Sequence, residues 1–247
     1  MRKTTLKSAD GTPVPCIFAN NGSRTAVIIS HFFSGNKESG LNRMIFDRLD
    51  SLDISWISFD MRGHGDSIDS GLTLEYATFC EDLEAAERYA VKKMKASTVK
   101  YIGEGLSAVI MLYWLSLKNR YGKDLLLINP DIDIYNYIES GVISDEDLKK
   151  IEAGGSFETW LPDGRQFEVS EFLLDDISFL DMMGLYRRGS SNTVIIASEH
   201  SDVTDLNTIK RFSFISSSEL ITIPSKDHFM RDCGEDLLNA VSSFAVR

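Results

Sequence analysis

The sequence predicts an α/β protein in which a mostly parallel central sheet carries helices on both faces. Strand-like and helix-like runs alternate along most of the 247 residues, as they do when crossover helices join parallel strands. Residues 25–30 form a nearly continuous apolar run, which is typical of a strand buried on both faces. An apolar strand at 99–102 passes through a glycine-containing turn directly into an apolar helix at 108–117. The chain is long enough to bury such a core.

Each element is predicted from its local pattern. Asp10-Gly11 joins the first two strands as a hairpin, because this dipeptide favours a tight turn. The segment 73–95 has apolar residues at spacings of three and four, as an amphipathic helix requires. The predicted strands are 2–7, 14–19, 25–30, 54–59, 99–102, 124–128, 193–198 and 219–223. The predicted helices are 40–52, 73–95, 108–117, 205–212 and 234–244.

The regular alternation stops between residues 131 and 190. A short helix is predicted to begin at Ser144, a good N-cap residue, and 157–169 is predicted to form a hairpin that turns at 162–164. We therefore predict a core made of residues 1–130 and 191–247, with 131–190 inserted as a cap or lid over the sheet. The lid side chains predicted to contact an apolar substrate are Tyr135, Ile138, Trp160, Phe172 and Leu173.

Charge and composition exclude several classes of partner. The formal net charge is −11, so nucleic acid and anionic membrane surfaces would be repelled. The longest apolar run is too short to cross a bilayer, and the first residues do not read as a signal peptide, so a cytoplasmic location is expected. Three cysteines without ligand spacing predict neither a disulfide framework nor a metal site, and no cofactor is expected.

The turn Gly103-Glu104-Gly105-Leu106-Ser107 lies in the strand–turn–helix context in which a Gly-x-Ser-x-Gly motif presents a nucleophilic serine. Gly105 stands at the nucleophile position and has no side chain that could attack a substrate. In a rival register Ser107 is the nucleophile, which would lengthen the strand by two residues. Glu104 is expected to point away from the catalytic centre.

Two polar residues late in the chain are predicted to form an acid–base pair. Asp202 and His228 follow successive strands, and loops after neighbouring parallel strands meet at one edge of a sheet. A catalytic imidazole needs a carboxylate that fixes its tautomer and orientation. The order along the chain, with the nucleophile position first, then the acid and then the base, is the order this kind of site requires. Glu199 is the alternative acid.

Backbone N–H groups near the turn are candidates for an oxyanion hole. One would come from Phe33, with Phe32 as the close alternative, and the other from Leu106; the alternative interpretation is that the two phenylalanines only cap the core. Phe32 is also a candidate substrate contact. The run 60–67, Asp-Met-Arg-Gly-His-Gly-Asp-Ser, is expected to form a tight scaffold in which Arg62 binds carbonyl or carboxylate groups and His64 is structural.

Together these residues resemble the α/β-hydrolase superfamily over essentially the full chain. More narrowly, the chain is similar to the bacterial acyl transferases that release fatty acids from acyl carrier protein for luminescence, which are serine thioesterases. The narrower resemblance rests on Phe33, on Leu106-Ser107-Ala108 and on residues 164–176. It implies an acyl ester or thioester hydrolase or acyltransferase with a small-molecule acyl substrate, and acyl carrier protein as a candidate partner. Such relatives form an acyl-serine with the residue matching His228 as base, which Gly105 does not permit.

Three accounts of Gly105 stay open on the sequence. In the first, the natural protein has a serine at this position and the glycine was introduced to inactivate it. In the second, the glycine is natural and the His228–Asp202 pair acts as a general base, as in a lyase, a cyclase or a hydrolase that uses water directly. In the third, the chain is a catalytically inactive binding module. The retained acid–base pair argues against the third account.

Overall fold

The computed structural model describes residues 1–33, 35–70, 76–118, 124–132, 144–160, 166–170, 192–201, 205–225 and 227–247. The strands in this part of the chain are β1 (Arg2–Lys7), β2 (Pro13–Ala19), β3 (Thr25–Ser30), β4 (Ser55–Phe59), β5 (Thr98–Glu104), β6 (Leu125–Ile128), β7 (Ser156–Trp160), β8 (Gln166–Ser170), β9 (Thr193–Ser198) and β10 (Glu219–Ile223). The α-helices described are α1 (Gly40–Ser51), α2 (Tyr76–Lys92), α3 (Leu106–Leu117), α4 (Asp145–Glu152), α5 (Leu206–Ser216) and α6 (Gly234–Val246).

Eight of these strands form one sheet in the order β1-β2-β4-β3-β5-β6-β9-β10. The six strands from β4 to β10 in this order are parallel, whereas β1 and β2 run antiparallel at one edge. The loops that follow β3, β5, β6, β9 and β10 therefore lie at the same edge of the sheet. The arrangement is the mostly parallel sheet that the sequence predicted.

Helices cover both faces of the sheet, and β3 shows why the run from Ala26 to Ile29 is apolar at successive positions. Ala26 and Ile28 pack into the cluster that contains side chains of α2 and α3. Val27 and Ile29, which point the opposite way, pack into the cluster with side chains of α1 and α6. Since successive strand residues face opposite sides, apolar side chains are favoured at successive positions of a strand that is covered on both sides.

The predicted strands and helices are present, with shifts of a few residues at their ends. Helix α2 is described from Tyr76 to Lys92, and the first three residues of its predicted range, 73–75, lie outside the described residues; β5 continues two residues further than predicted, to Glu104. Because α3 begins at Leu106, the change from strand to helix takes place at Gly105 alone.

Parts of the irregular segment also have their predicted structure. The Ser144 hydroxyl caps α4 by accepting a hydrogen bond from the N–H of Asp147 at 3.2 Å. Strands β7 and β8 pair antiparallel with Phe157 opposite Val169, as the predicted hairpin requires, and the predicted turn at 162–164 lies outside the described residues. The division into core and lid stays a prediction. Among the described residues, no helix is long and apolar enough to span a membrane.

Candidate active site

Gly105 forms the turn between β5 and α3, and its backbone conformation is left-handed, with φ of +55°. Its N–H donates to the carbonyl of Ile128 at 2.9 Å, and its carbonyl accepts from the N–H of Asp131 at 3.3 Å. Both partners belong to β6 or to the loop that follows it. The turn is therefore fixed against the neighbouring strand, and it holds residue 105 at the carboxyl edge of the sheet.

The space beside Gly105 that a side chain would need is already filled. A Cβ atom built on Gly105 would lie 2.7 Å from Cδ1 of Phe32 and 2.8 Å from Oδ2 of Asp131. Both distances are shorter than real Cβ contacts. The site is therefore packed around a glycine, and the Asp131 carboxylate occupies the region from which a nucleophilic side chain would extend.

His228 reaches this place from the loop after β10. Its Nε2 lies 3.6 Å from Oδ1 of Asp131, and its Nδ1 lies 3.2 Å from the Ser201 hydroxyl. The side chains of His228 and Asp131 are 3% and 2% exposed, so the two groups interact out of contact with bulk solvent. Such burial strengthens their electrostatic interaction.

Asn129 holds the loops around His228 together. Its side-chain N–H donates to the carbonyl of His228 at 2.5 Å, and its side-chain oxygen accepts from the N–H of Ser198 at 2.7 Å. One amide therefore ties the end of β6 to the end of β9 and to the His228 loop. Asn129 itself has a φ of +41°, a conformation that asparagine tolerates better than most residues.

The partner predicted for His228, Asp202, lies outside the described residues, as does its neighbour in the chain, residue 203. Ser201, immediately before it, does contact Nδ1 of His228. The alternative acid, Glu199, is exposed, unlike the buried imidazole. The catalytic roles of His228, Asp202 and the Gly105 position remain predictions.

Of the predicted oxyanion donors, Leu106 is the first residue of α3, where helix N–H groups have no partner within the helix. The N–H of Phe32 donates to Oε2 of Glu104 at 3.2 Å, so the alternative that uses Phe32 is wrong: its donor is occupied. The Phe33 ring packs edge-on against His64, with centroids 5.2 Å apart. The oxyanion roles of Phe33 and Leu106 remain predictions.

Ser107 is not in the nucleophile position. Its hydroxyl donates to the carbonyl of Glu104 at 2.9 Å and accepts from the N–H of Glu104 at 3.0 Å. Although β5 is two residues longer than predicted, the turn residue is Gly105, and Ser107 lies inside α3. The rival register is therefore wrong, because β5 ends at Glu104 and α3 begins at Leu106, and the Ser107 hydroxyl bonds to the backbone of Glu104.

Glu104 is a buried acid beside the site. Its Oε2 accepts the hydrogen bond from Phe32, while Oε1 has no hydrogen-bond partner among the described residues. Burial raises the pKa of this carboxyl to about 8, against a smaller lowering by the Phe32 hydrogen bond. Glu104 therefore keeps its proton at neutral pH.

Asp131 is the site residue that the sequence reasoning missed. It directly follows Asn129-Pro130 at the end of β6, next to β5 in the sheet, and its position after a strand was a usable signal. The predicted boundary between core and lid fell between residues 130 and 131, so this carboxylate was assigned to the lid. The hydrogen bond from its N–H to Gly105 shows that it packs against the turn.

The 60–67 run forms the predicted scaffold. Arg62 binds the Asp82 carboxylate at 3.0 Å and the Asp10 carboxylate at 2.7 Å. His64 is buried and contacts the carbonyl of Arg62 at 2.8 Å through Nδ1. Gly65, with φ of +52°, leaves room for the Asp60 carboxylate, which would overlap any Cβ there. Arg62 acts as predicted, and the position of His64 fits a structural role.

His31 fixes the loop that carries Phe32 and Phe33. Its Nε2 accepts from the N–H of Met61 at 3.2 Å, so Nδ1 carries the proton and donates to the carbonyl of Phe32 at 2.7 Å. Burial lowers the pKa of His31 to about 4, and the ring is therefore neutral at physiological pH.

An apolar cavity of about 480 Å³ lies beside the site. Its apolar lining residues are Phe32, Phe33, Leu41, Met44, Phe229 and Met230. The Phe32 ring forms the boundary with the site, since it packs 5.1 Å from the rings of both His228 and Phe229. The substrate-contact role of Phe32 remains a prediction.

The lid residues predicted to contact substrate are not placed by the described structure. Tyr135, Ile138, Phe172 and Leu173 lie outside the described residues, and Trp160 ends β7 with a side chain that also lies outside them. Within the described ranges, no group of three or more His, Cys, Asp or Glu side chains is arranged to hold a metal ion.

No protein-family model matches the chain, and no curated protein matches it either. Solved structures do match over nearly its full length. Est1E from Butyrivibrio proteoclasticus is 15% identical with a TM-score of 0.77, covering 100% of this chain and 98% of that one. The Pyrococcus furiosus esterase Pf2001 is 15% identical with a TM-score of 0.75, covering 98% and 88%. XC6422 from Xanthomonas campestris, an α/β serine hydrolase without a lid, is 15% identical with a TM-score of 0.67, covering 100% and 94%.

At these identities the similarity is one of fold. The chain has the α/β-hydrolase fold, which confirms the predicted fold class.

Restoring a serine at the turn is expected to cost stability. In Gly105→Ser, the new Cβ must displace the Phe32 ring and the Asp131 carboxylate, and overpacking of this kind costs about 1–3 kcal/mol. Urea denaturation measures the loss. The double variant Gly105→Ser/Asp131→Ala removes one of the two contacts. Its loss of stability is therefore expected to be smaller than the sum of the losses in the two single variants. Strict additivity would contradict the described packing.

Proposed function

We propose that this chain hydrolyses small acyl esters or thioesters by direct attack of water, without an acyl-serine intermediate. The observation that carries the proposal is that the buried His228–Asp131 pair meets at the turn where Gly105 lacks a side chain. A titratable pair at the expected position of the nucleophile is the arrangement that acid–base catalysis needs.

Two features support a route that does not use serine. The Ser107 hydroxyl is held by the backbone of Glu104, and any side chain at residue 105 would have to displace the side chains of Phe32 and Asp131. The close packing favours the account in which glycine is the natural residue over the account in which a serine was removed.

The proposed reaction follows from the groups at the edge of the sheet. Water attacks the acyl carbon, and the developing oxyanion is held by the N–H groups of Leu106 and Phe33, which stay predicted donors. The imidazole–carboxylate pair takes the proton from water and returns one to the leaving group. Asp202 stays a proposed member of the site, as the acid that follows β9.

The apolar cavity beside Phe32 suggests the kind of acyl group. A site of about 480 Å³ lined by phenylalanine, leucine and methionine suits an aliphatic chain or an aromatic ring. One structure of Est1E has ferulic acid bound, which agrees with an acid of this size. We propose a small-molecule acyl ester as substrate. Acyl carrier protein stays a candidate carrier of the acyl group. A nucleophile other than water stays a candidate acceptor of that group.

Replacement of His228 tests this function. Turnover of p-nitrophenyl butyrate, a feruloyl ester and an acyl thioester is measured for the unmodified chain and for His228→Gln. We expect His228→Gln to reduce kcat by about 10²–10⁴-fold, the usual contribution of acid–base catalysis. The control is His200→Gln, which changes an exposed histidine of the β9 loop and is expected to leave the rate unchanged.

Two results would reject the proposal. Absence of turnover on every substrate, with the protein folded, would favour the binding module. Equal rates for His228→Gln and the unmodified chain would show that catalysis takes place elsewhere.

A further inference from the structure

The Asp131 carboxylate stands in for the missing nucleophile side chain. Its Oδ2 lies 2.8 Å from the position of a Cβ on residue 105, and its Oδ1 lies 3.6 Å from Nε2 of His228. In a serine site, the hydroxyl occupies this place between the turn and the imidazole. Here the oxygen atoms belong to a carboxylate that comes from the loop after β6.

The contact between the two groups determines where the proton of His228 lies. When Asp131 is ionised, as a general base must be, the ring nitrogen that faces it is favoured with a hydrogen attached, because a lone pair would be repelled by the negative oxygen. The Nε2 atom therefore carries a proton, and in the neutral ring Nδ1 accepts from the Ser201 hydroxyl, 3.2 Å away. An imidazole with this tautomer cannot take a proton at the turn.

Of these two groups, Asp131 is consequently the one that can accept a proton at the turn. A carboxylate that attacked an ester would form an anhydride, which is a more reactive species than the ester itself, so the attacking atom is better supplied by water. We propose that Asp131 is a catalytic residue, the general base that activates water, and that His228 orients it and acts as the general acid. The inference rests on the proposed hydrolytic function.

The step balances with water as the only co-reactant. One O–H bond of water breaks as its proton passes to Asp131, the water oxygen bonds to the acyl carbon, and the carbonyl electron pair moves to oxygen. The carbonyl then re-forms, the bond to the leaving alcohol or thiol breaks, and that group takes the Nε2 proton of His228. Transfer of the proton from Asp131 to His228 restores both residues.

The local structure holds Asp131 in position for this role. Its N–H donates to the carbonyl of Gly105 at 3.3 Å, which fixes the start of the loop against the turn. Asn129, two residues earlier, ties the same loop to the His228 backbone. Both members of the pair are therefore held by contacts to neighbouring strands, as preorganised catalytic groups must be.

The first test compares Asp131→Asn, which keeps the shape and removes the charge, with Asp124→Asn. Asp124 precedes the same strand at its opposite end and pairs with Lys100 at 3.5 Å. We expect kcat to fall about 10²–10⁴-fold in Asp131→Asn, with KM within about threefold, and to change little in Asp124→Asn. If Asp131→Asn keeps its rate while His228→Gln loses it, the base is not Asp131 and the hydrolytic function still holds. If the unmodified chain has no turnover, the proposed function fails first.

The second test separates catalysis from packing. Asp131→Ala opens a space of carboxylate size, which an external base can enter. Added formate is therefore expected to raise the rate of this variant by at least about tenfold. A folded Asp131→Ala variant that formate does not rescue would overturn the proposal.

Turnover of the unmodified chain in the presence of hydroxylamine, followed by peptide mass spectrometry, provides the last control. An aspartyl hydroxamate at residue 131 would mean covalent attack and would equally overturn the role as base.

Discussion

The unmodified protein is expected to lose stability, on the order of 4 kcal/mol, as the pH rises from about 5 to about 9. The Glu104→Gln variant is expected not to show this loss. The pKa of Glu104 is raised from 4.5 to about 8 by burial, so the folded state holds a proton that the unfolded state has released. Stability therefore falls with increasing pH between these two values and is constant above the higher one. Each pKa unit contributes about 1.4 kcal/mol.

The sign of this effect is opposite to that of an ordinary paired carboxylate. Below about pH 4.5 the carboxyl is protonated in both states and contributes no pH dependence. Above about pH 8 the folded protein must hold a buried anion whose Oε1 has no hydrogen-bond partner among the described residues. Glutamine keeps the acceptor for the Phe32 N–H without that charge.

Denaturation in urea across this pH range measures the difference between the two proteins. The control is Glu146→Gln, which removes an exposed carboxylate on α4 and is expected to leave the pH dependence as it was. If the free energies of unfolding of Glu104→Gln and the unmodified protein differed by the same amount at every pH in this range, Glu104 would be ionised over the whole range, contrary to its burial.

Breaking the buried ion pair between Lys37 and Asp60 is expected to cost about 3–5 kcal/mol, the usual penalty for leaving one charge of such a pair without its partner. Lys37 Nζ lies 2.5 Å from Oδ2 of Asp60, and the two side chains are 4% and 0% exposed. Lys37→Met removes the cation and keeps much of the side-chain volume. Among the described residues, the N–H groups of Lys37 and Asp66 would still donate to the Asp60 carboxylate.

A double-mutant cycle identifies the ion pair as the cause. The variant Lys37→Met/Asp60→Asn removes both charges, so it is expected to be more stable than the sum of the single changes predicts. The matched control is Lys3→Met, whose ammonium pairs with Glu38 on the surface at 3.4 Å; exposed pairs contribute at most about 1 kcal/mol. Equal losses of stability for Lys3→Met and Lys37→Met would contradict the burial of the Lys37–Asp60 pair.

This ion pair also bears on the candidate site. Lys37 belongs to the loop after β3 and Asp60 to the loop after β4, and the first of these loops also carries Phe32 and Phe33. Together with the His31 contacts to Phe32 and Met61, the pair holds the two loops in register. We expect its loss to disturb the cavity beside Phe32 as well as overall stability.

Local patterns were sufficient to predict the elements of the fold. The mostly apolar β3 and α3 contribute largely buried side chains to the core, and Ser144 caps α4 as its residue type predicts. The hairpin at 157–169 was found because alternation and a turn sequence are local signals. Element ends moved by a few residues, since tertiary contacts decide where the last turn or the last strand residue is retained.

Local patterns were less informative about the site. Gly105 and His228 were identified from their positions after strands, and the fold brings both to one edge. The Asp131 side chain was missed because its proximity to Gly105 depends on the pairing of β5 with β6, which joins residues far apart in the chain. The engagement of the Phe32 N–H by Glu104 was missed for the same reason, since it joins residues 72 positions apart.

By itself, the amino-acid order determined the class of fold, the sequence of strands and helices, and the absence of a reactive side chain at residue 105, because hydrophobic periodicity and residue type act over a few neighbouring positions. Only the tertiary structure decided that a carboxylate fills the space left by that residue and faces the imidazole of His228. Which groups meet at the edge of the sheet is set by strand order and register, and these come from packing the whole core.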